Sequence, residues 1–147
     1  MKFSIIVLAA GLMLTGCASE TIPQKQAPCT GSLVKGCVPV VYFDTNSSEI
    51  VPGEQEHLTW GLNKMARWPE KKMIVTGYAD KRGTDKYNLL LSRHRAQKVR
   101  DYYISKGIKP DRIYFIGRGK TDLTCDNPGC QEVDRRVEVN IYTPGFW

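Results

Sequence analysis

The sequence has few of the side chains that catalysis uses. Its 147 residues contain only two histidines, His57 and His94, and these fall on two different predicted helices. A hydrolase would need a nucleophile with a base, a pair of carboxylates or an open zinc site. No such set can be assembled from these residues, so we expect that the protein is not an enzyme. We expect His57 to be a solvent-facing helix residue.

Runs of one charge are also lacking. The formal charge of +6 and the pI near 9.1 would suit a nucleic-acid-binding protein. The basic residues are, however, scattered among acidic ones, and no block of five or six like charges occurs. This distribution indicates a solvated surface, and we expect no nucleic-acid partner.

Long hydrophobic runs are equally scarce. The apolar run at residues 3–14 has about twelve residues, which is too few to span a bilayer. It follows the basic start Met1-Lys2 and ends in Leu14-Thr15-Gly16-Cys17, which resembles the lipobox of bacterial lipoproteins. The resemblance implies that Cys17 is lipid-modified, with palmitate among its acyl chains, and becomes the first residue of the mature chain. Several acyl chains on one residue would make a lasting membrane anchor.

The chain is therefore predicted to have three parts. Residues 1–16 are a lipoprotein signal peptide, and residues 17–36 are a lipidated tether that is polar and contains Pro23 and Pro28. Residues 37–147 form one globular domain. In lipoproteins of this kind an Asp after the lipidated cysteine tends to retain the protein at the inner membrane. The alanine at that position here implies the outer membrane, on its periplasmic face.

Four cysteines remain once Cys17 is lipidated: Cys29, Cys37, Cys125 and Cys130. An even number in an exported chain favours disulfides, and three pairings are possible. The local pairs Cys29–Cys37 and Cys125–Cys130 are favoured because each closes a short loop. Zinc is the alternative, but the spacings differ from those of common zinc sites and no histidine lies near either pair. We expect no metal.

Strands and helices alternate along the globular part. The predicted strands are residues 38–43, 73–78, 113–116 and 137–142, and the predicted helices are residues 52–68 and 84–106. One sheet with two helices packed against it is the natural arrangement of these elements. The segment Gly117-Arg118-Gly119-Lys120 lacks the spacing of a phosphate-binding loop, so we expect no nucleotide and no other cofactor.

The second helix has two distinguishable faces. At 100° per residue, one face forms the predicted core stripe, and a narrower face lies beside it. The core stripe consists of Leu89, Ser92, Ala96, Val99 and Tyr103, and the second face consists of Asn88, Leu91 and Arg95.

A carboxylate and a guanidinium flank the start of this helix. Asp80 lies in the Gly-containing turn before the helix, and Arg95 lies in its first half. Opposite charges held at a fixed separation on a rigid frame can bind a ligand that carries one ammonium and one carboxylate. The alternative is that Asp80 and Arg95 form a structural salt bridge and neutralise each other.

Several segments resemble the OmpA-like C-terminal domain, a peptidoglycan-binding module. They occur in the order and spacing of that family over nearly the whole predicted domain, and they are Tyr42-Phe43-Asp44, Gly77-Tyr78-Ala79-Asp80, Gly83-Thr84, Tyr87-Asn88, Leu91-Ser92, Arg95-Ala96, Gly107-Ile108, Gly117-Arg118-Gly119 and Asp134-Arg135-Arg136-Val137-Glu138. The resemblance implies an α+β fold of the βαβαββ type, a sandwich in which both helices pack on one face of a mixed sheet.

The resemblance also implies a ligand and a set of contacts. Asp80 would bind the side-chain ammonium of meso-diaminopimelate in the peptidoglycan stem peptide, and Arg95 would bind its carboxylate. The positions of Asn88 and Leu91 would line the same groove. Asp44 and Thr45 would contribute mostly backbone contacts, and the pair Arg135-Arg136 would support structure.

One departure from the family and one alternative function remain open. The family usually has Thr where this chain has Ala79, so one hydroxyl contact to the ligand is missing. The alternative function is that of a structural subunit in a secretion or motility assembly that mainly contacts other envelope proteins. The C-terminal aromatic pair, Phe146 and Trp147, is the feature that favours it.

Overall fold

The structure, a computed structural model, describes residues 38–125 and 128–145. The strands are β1 (Val40–Tyr42), β2 (Lys72–Gly77), β3 (Ile113–Gly117) and β4 (Arg136–Tyr142). The helices are α1 (Gln55–Arg67) and α2 (Asp85–Ser105), and short 3-10 turns occupy Pro52–Glu54, Pro110–Arg112 and Pro128–Val133. The order is therefore β-α-β-α-β-β. Each boundary lies within a few residues of its prediction.

The four strands form one mixed sheet in the order β1-β4-β2-β3. β2 and β3 are parallel, and β4 is antiparallel to both β1 and β2. α2 packs over β2 and β3 while α1 packs over β1 and β4, on the same face of the sheet. The predicted α+β fold with both helices on one face of a mixed sheet is confirmed.

Local sequence signals explain where the helices begin and end. Thr84 caps α2, since its hydroxyl accepts a hydrogen bond from the backbone N–H of Tyr87 at 3.2 Å. Gly107, with φ of +94°, ends the same helix in a conformation that glycine adopts readily. Arg112 closes the end of α1 by donating to the carbonyls of Met65 and Trp68.

The core lies between the sheet and the helices. Buried side chains from every strand meet the inward face of α2, where Ser92, Ala96, Val99 and Tyr103 are fully buried as predicted. The prediction for Leu89 is wrong, because this side chain is 50% exposed. The inward stripe continues through Asn88 instead, which is 2% exposed and donates to the carbonyl of Arg82 at 2.7 Å.

Two glycines set how closely α2 approaches the sheet. A Cβ on Gly77 would collide with the backbone carbonyl of Ser92, and a Cβ on Gly117 would collide with the backbone of Arg93. Both strands therefore contact the helix backbone directly. This contact fixes the height of α2 above the sheet, and with it the position of every side chain on the first half of the helix.

His57 is not the solvent-facing residue that the sequence suggested. Its Nδ1 lies 2.7 Å from the carbonyl oxygen of Val40, and the ring is mostly buried. Beside it, a carboxylate oxygen of Glu54 accepts a hydrogen bond from the backbone N–H of Tyr42 at 2.9 Å. Two side chains of the α1 region thus satisfy the outer edge of β1, and this edge is not open to another strand.

The opposite face of the sheet is partly covered by the loop that leads into β4. Cys125 and Cys130 form the predicted disulfide. They pack with Val133 against Val40 and Tyr42 in a second, smaller apolar cluster. Because both cysteines are consumed in this bond, they do not serve as zinc ligands.

Several predictions concern residues outside the described part of the chain. They are the signal peptide, the lipidation of Cys17, the tether, the Cys29–Cys37 disulfide and the role of Phe146 and Trp147, and all of them stay predictions. Within residues 38–125 and 128–145, no helix combines the length and the apolar character that crossing a bilayer requires.

Candidate functional site

A cleft of about 130 Å³ opens where β2 ends and α2 begins. The loop after β1 forms its opposite wall, and the first residues before β4 close its floor. The lining residues are Thr45, Asn46, Ala79, Asp80, Arg82, Gly83, Tyr87, Asn88, Leu91, Arg95 and Arg135. Five of the six residues predicted to bind ligand line this cleft.

The sixth predicted residue, Asp44, contributes through its backbone. Its side chain is exposed, and its carbonyl oxygen accepts a hydrogen bond from Arg95 at 3.0 Å. The hydroxyl of Thr45 accepts a hydrogen bond from Nη2 of Arg82 at 3.2 Å, and the predicted backbone contacts of Thr45 to a ligand stay a prediction. The loop after β1 is therefore linked to α2 and to the β2–α2 turn by side-chain hydrogen bonds.

Asp80 stands at the start of the turn between β2 and α2. Gly83 has φ of +87°, and Asn88 donates to the carbonyl of Arg82, so the turn is held in a shape that bends the chain back over its own start. Ala79 extends the pairing beyond β2 by donating to the carbonyl of Gly119 at 2.8 Å. The residue Asp80 is left only 7% exposed, at the base of the cleft.

The partners of Asp80 among the described residues are two arginines. Nη2 of Arg82 lies 2.6 Å from Oδ2 of Asp80, and Nη1 of Arg135 lies 3.5 Å from the same oxygen. Burial raises the pKa of Asp80, but the hydrogen bonds from the Arg82 side chain and backbone outweigh it and leave the pKa below its usual value. Asp80 is thus ionised at neutral pH.

Arg95 is the most deeply buried charge in the cleft, with 1% of its surface exposed. Its guanidinium donates to the carbonyls of Ser47 at 2.8 Å, Tyr78 at 3.1 Å and Asp44 at 3.0 Å. Burial lowers the pKa of Arg95 to about 10, and the positive charge of Arg135 acts in the same direction. The side chain therefore keeps its charge at neutral pH.

The geometry of Arg95 leaves donors for a ligand. A guanidinium has five N–H groups, and three are used by these carbonyls, so two remain. The three carbonyls belong to the loop after β1 and to the end of β2, so the group is held from two sides. Such a group binds a carboxylate without first having to become ordered.

The alternative in which Asp80 and Arg95 neutralise each other does not describe this site. Asp80 is paired with Arg82 and Arg135, while Arg95 is held by carbonyl dipoles. The cleft therefore presents one carboxylate and three guanidinium groups. Groups of both charges therefore line the cleft, with the cations in excess.

Two charged residues of the cleft, Arg82 and Arg135, were not assigned to the site from the sequence. Arg135 also donates to the carbonyl of Phe43 at 2.9 Å, so it combines a structural contact with a place in the cleft. Its neighbour Arg136 has the structural role predicted for the pair, since its guanidinium stacks on the Tyr78 ring and pairs with Glu138. The spacing of Arg82, two residues after Asp80 in a tight turn, was the available signal for its contact.

Tyr87 and Asn46 form one rim of the cleft. The Tyr87 hydroxyl donates to Oδ1 of Asn46 at 2.5 Å, which joins the first turn of α2 to the loop after β1. Asn46 itself has φ of +60°. Within the described residues, no group of three or more His, Cys, Asp or Glu side chains is placed to hold a metal ion.

Comparison with known proteins identifies a family. Residues 42–136 match the model of the OmpA family. The "Peptidoglycan-associated lipoprotein" of Mesorhizobium japonicum is 32% identical, over 96% of this chain and 92% of that protein. Its counterpart in Rhizobium meliloti is 34% identical, over 90% of this chain and 84% of that protein.

A solved structure supports the fold. The crystal structure of the peptidoglycan-associated lipoprotein from Burkholderia pseudomallei superposes with a TM-score of 0.66 at 24% identity, covering 71% of this chain and 90% of that one. The names of these relatives describe envelope proteins and not reactions, in agreement with the prediction that the protein is not an enzyme. By sequence over most of its length and by fold, the chain belongs to the OmpA family.

Proposed function

We propose that the protein binds peptidoglycan non-covalently, with the diaminopimelate of a stem peptide in the Asp80–Arg95 cleft. The observation that carries the proposal is the cleft itself, which presents an ionised carboxylate and an ordered guanidinium in a chain similar to peptidoglycan-associated lipoproteins. A lipid at Cys17 would then hold the other end of the chain in the outer membrane. The protein would anchor that membrane, or a complex within it, to the cell wall.

The carboxylate of diaminopimelate would occupy the two free N–H groups of Arg95. These groups are already oriented, so binding costs little side-chain entropy. A charge-assisted pair of parallel hydrogen bonds is the strongest contact that such a site offers. Arg135, on the floor of the cleft, adds a second cation within range of the same anion.

The ammonium of diaminopimelate would bind Asp80. In the free protein, Arg82 occupies this carboxylate. The Arg82 side chain is 51% exposed and is otherwise anchored through Thr45, so it is the partner that can turn outward when an ammonium arrives. Arg135 stays in place because it is fixed to the carbonyl of Phe43.

Ala79 leaves this site with one contact fewer than most of the family. A hydroxyl at this position would add one hydrogen bond, and its absence reduces binding by roughly 0.5–1.5 kcal/mol. The Ala79 backbone is already committed to Gly119, so nothing else at this position replaces the hydroxyl. We expect that Ala79→Thr strengthens binding.

Sedimentation with purified sacculi tests the proposal. Asp80→Asn keeps the size of the side chain and removes its charge, so the variant should stay in the supernatant. Glu49→Gln is the matched control, because Glu49 is an exposed carboxylate that pairs with Lys98 away from the cleft. Equal sedimentation of Asp80→Asn and the wild-type protein would refute the site.

A second measurement tests the ligand. The protein should bind a diaminopimelate-containing stem peptide and should not bind its lysine-containing equivalent, which lacks the carboxylate that Arg95 would hold. Equal affinity for the two peptides would refute diaminopimelate as the specific ligand. It would leave Asp80 as a general ammonium site.

The alternative function as a subunit of an envelope assembly depends on Phe146 and Trp147, which lie outside the described residues. A chain that lacks both should keep wall binding and lose co-purifying partners if the alternative holds. Unchanged co-purification would remove its support.

A further inference from the structure

A cluster of tryptophan and basic side chains lies on the second half of α1 and on the turn that follows it. Trp60, Lys64, Arg67, Trp68 and Lys71 form a compact group, which we call the Trp patch. Nζ of Lys64 lies 5.0 Å from the centre of the Trp60 ring and 4.6 Å from that of Trp68. The Trp68 ring is also approached by Arg67 at 5.3 Å and by Lys71 at 4.5 Å. The cations are thus held in one layer with the indole rings.

The charge of the Trp patch is not neutralised locally. None of Lys64, Arg67 and Lys71 forms an ion pair with a carboxylate among the described residues, whereas Lys98, Lys120 and Arg118 elsewhere on the surface do. Between positions 60 and 72 the sequence has four cations and one acid. The Trp patch is a concentrated part of the net positive charge, although the chain as a whole has no run of like charges.

Half-buried indole rings beside lysine and arginine suit the surface of a bilayer. Indole rings favour the level of the lipid headgroups, and each basic residue near an anionic leaflet is attracted to it. Lysine and arginine reach such a surface with their charged ends while their methylene stems cover apolar area. A soluble polyanion would use the cations but would gain little from two rings that are already stacked under them.

The Trp patch and the cleft lie at opposite ends of the molecule. β2 begins beside the patch at Lys72 and ends at Gly77, just before Asp80. Its six residues span roughly 20 Å. β1 runs in the same direction as β2, because both are antiparallel to β4. β1 therefore points from the side of the Trp patch toward the cleft, and its register places Val40 level with Thr76 in the half of the sheet nearer the cleft.

The length of the segment before Val38 permits contact with a membrane. Twenty-one peptide units separate Cys17 from Val38, and a chain of that length reaches at most roughly 70 Å. A domain on such a tether stays within reach of the leaflet that holds its lipid. Because β1 points away from the side of the Trp patch, an orientation with the Trp patch toward the leaflet directs the cleft away from it.

From these observations we infer that the Trp patch docks on an anionic phospholipid surface, with the cleft turned away from the membrane toward the wall. The inference rests on the proposed function for the lipid anchor at Cys17. The docking contacts themselves belong to residues that take no part in the cleft.

Quenching of tryptophan fluorescence tests the docking. The full chain, carrying Trp147→Phe so that only Trp60 and Trp68 report, is reconstituted in phosphatidylcholine vesicles with or without phosphatidylglycerol. A nitroxide on the lipid headgroup quenches indoles that touch the surface. We expect quenching in the anionic vesicles, weak quenching in the neutral ones, and loss of the difference at high salt.

Charge reversal supplies the controls. Each basic residue at an anionic surface contributes about fivefold to the ratio of docked to free domain. Lys64→Glu with Lys71→Glu should lower this ratio by at least about 25-fold and abolish quenching. Lys86→Glu with Lys98→Glu, which changes the charge equally on the exposed side of α2, should leave quenching intact. Equal loss in both variants, or equal quenching in neutral vesicles, would overturn the inference.

Two further results distinguish lipid docking from binding of a soluble polyanion and from the proposed wall binding. Polyphosphate that binds through Lys64 and Lys71 while vesicles give no quenching would overturn the lipid assignment in favour of a soluble polyanion. Sedimentation with sacculi should be unchanged in Lys64→Glu/Lys71→Glu and lost in Asp80→Asn. Failure of the docking and failure of the proposed wall binding are therefore read from different variants.

Discussion

Replacing Arg95 by alanine should destabilise the whole domain as well as the binding site. The guanidinium joins the loop after β1 to the end of β2 through three carbonyl groups, and it stacks 5.4 Å from the centre of the Phe43 ring. Each hydrogen bond to a charged group contributes about 1.5–3 kcal/mol. Water can reach the loop carbonyls once the side chain is gone, and removing a buried charge relieves its desolvation cost.

The net loss expected for Arg95→Ala is therefore about 3 kcal/mol of the free energy of unfolding. For a domain of this size such a loss lowers the thermal midpoint by roughly 15 °C. Asp80→Asn should differ, because the ion pair with a half-exposed arginine contributes about 0–1 kcal/mol and the amide keeps the shape of the group. Both variants should fail to sediment with sacculi, for different reasons.

Urea denaturation followed by circular dichroism, together with a thermal scan, measures both quantities. A thermal midpoint of Arg95→Ala within a few degrees of the wild-type value would refute the reasoning. It would mean that the carbonyls of Ser47, Asp44 and Tyr78 do not depend on the guanidinium. Arg95→Lys serves as a second variant, since it keeps the charge and loses the fork of donors.

Three further outcomes follow from the site and the loop around it. The neighbours of Asp80 lower its pKa, so its charge stabilises the folded and ligand-bound states fully above the usual carboxyl pKa of 3.8. This contribution disappears as the pH falls through the lowered pKa of Asp80. Sacculus binding should therefore not change from neutral pH down to that range, and a midpoint above pH 3.8 would contradict the assignment. Arg82→Gln frees Asp80, so calorimetry with the stem peptide should show several-fold tighter binding, whereas weaker binding would mean that Arg82 contacts the ligand itself. Cys125→Ser with Cys130→Ser should cost about 2 kcal/mol in urea denaturation, as expected for a loop this short, and an unchanged midpoint would show that the loop is held by packing alone.

The fold was predictable because its signals are local and regular. Alternating apolar residues, the Thr84 cap and the Gly107 stop each act within one element, and they marked the strands and helices to within a few residues. Asp80 and Arg95 were predictable because the family resemblance reports their positions. Neither the local sequence patterns nor the family resemblance depends on how the elements pack against each other.

The errors came from contacts between distant parts of the chain. His57 lies on the polar side of a helical wheel, yet the carbonyl of Val40 stands opposite it in space. Leu89 belongs to the apolar stripe by periodicity, but Asn88 takes the inward place because it holds the turn at Arg82. The Arg135 contact with the cleft depends on a strand pairing that joins positions almost a hundred residues apart. The periodicity of one helix does not predict contacts with distant parts of the chain.

The direction of β1 has a mechanical consequence. If the cleft binds the wall and Cys17 carries a lipid, as proposed, a pull between the two would act along β1 and not across it. The hydrogen bonds between β1 and β4 run perpendicular to the strands, so such a force loads them together instead of opening them one after another. The side chains of His57 and Glu54 form hydrogen bonds with the outer edge of the same strand, and these bonds share that load. A strand of only three residues is thus placed where it resists shear, which is the force that the proposed link between membrane and wall would bear.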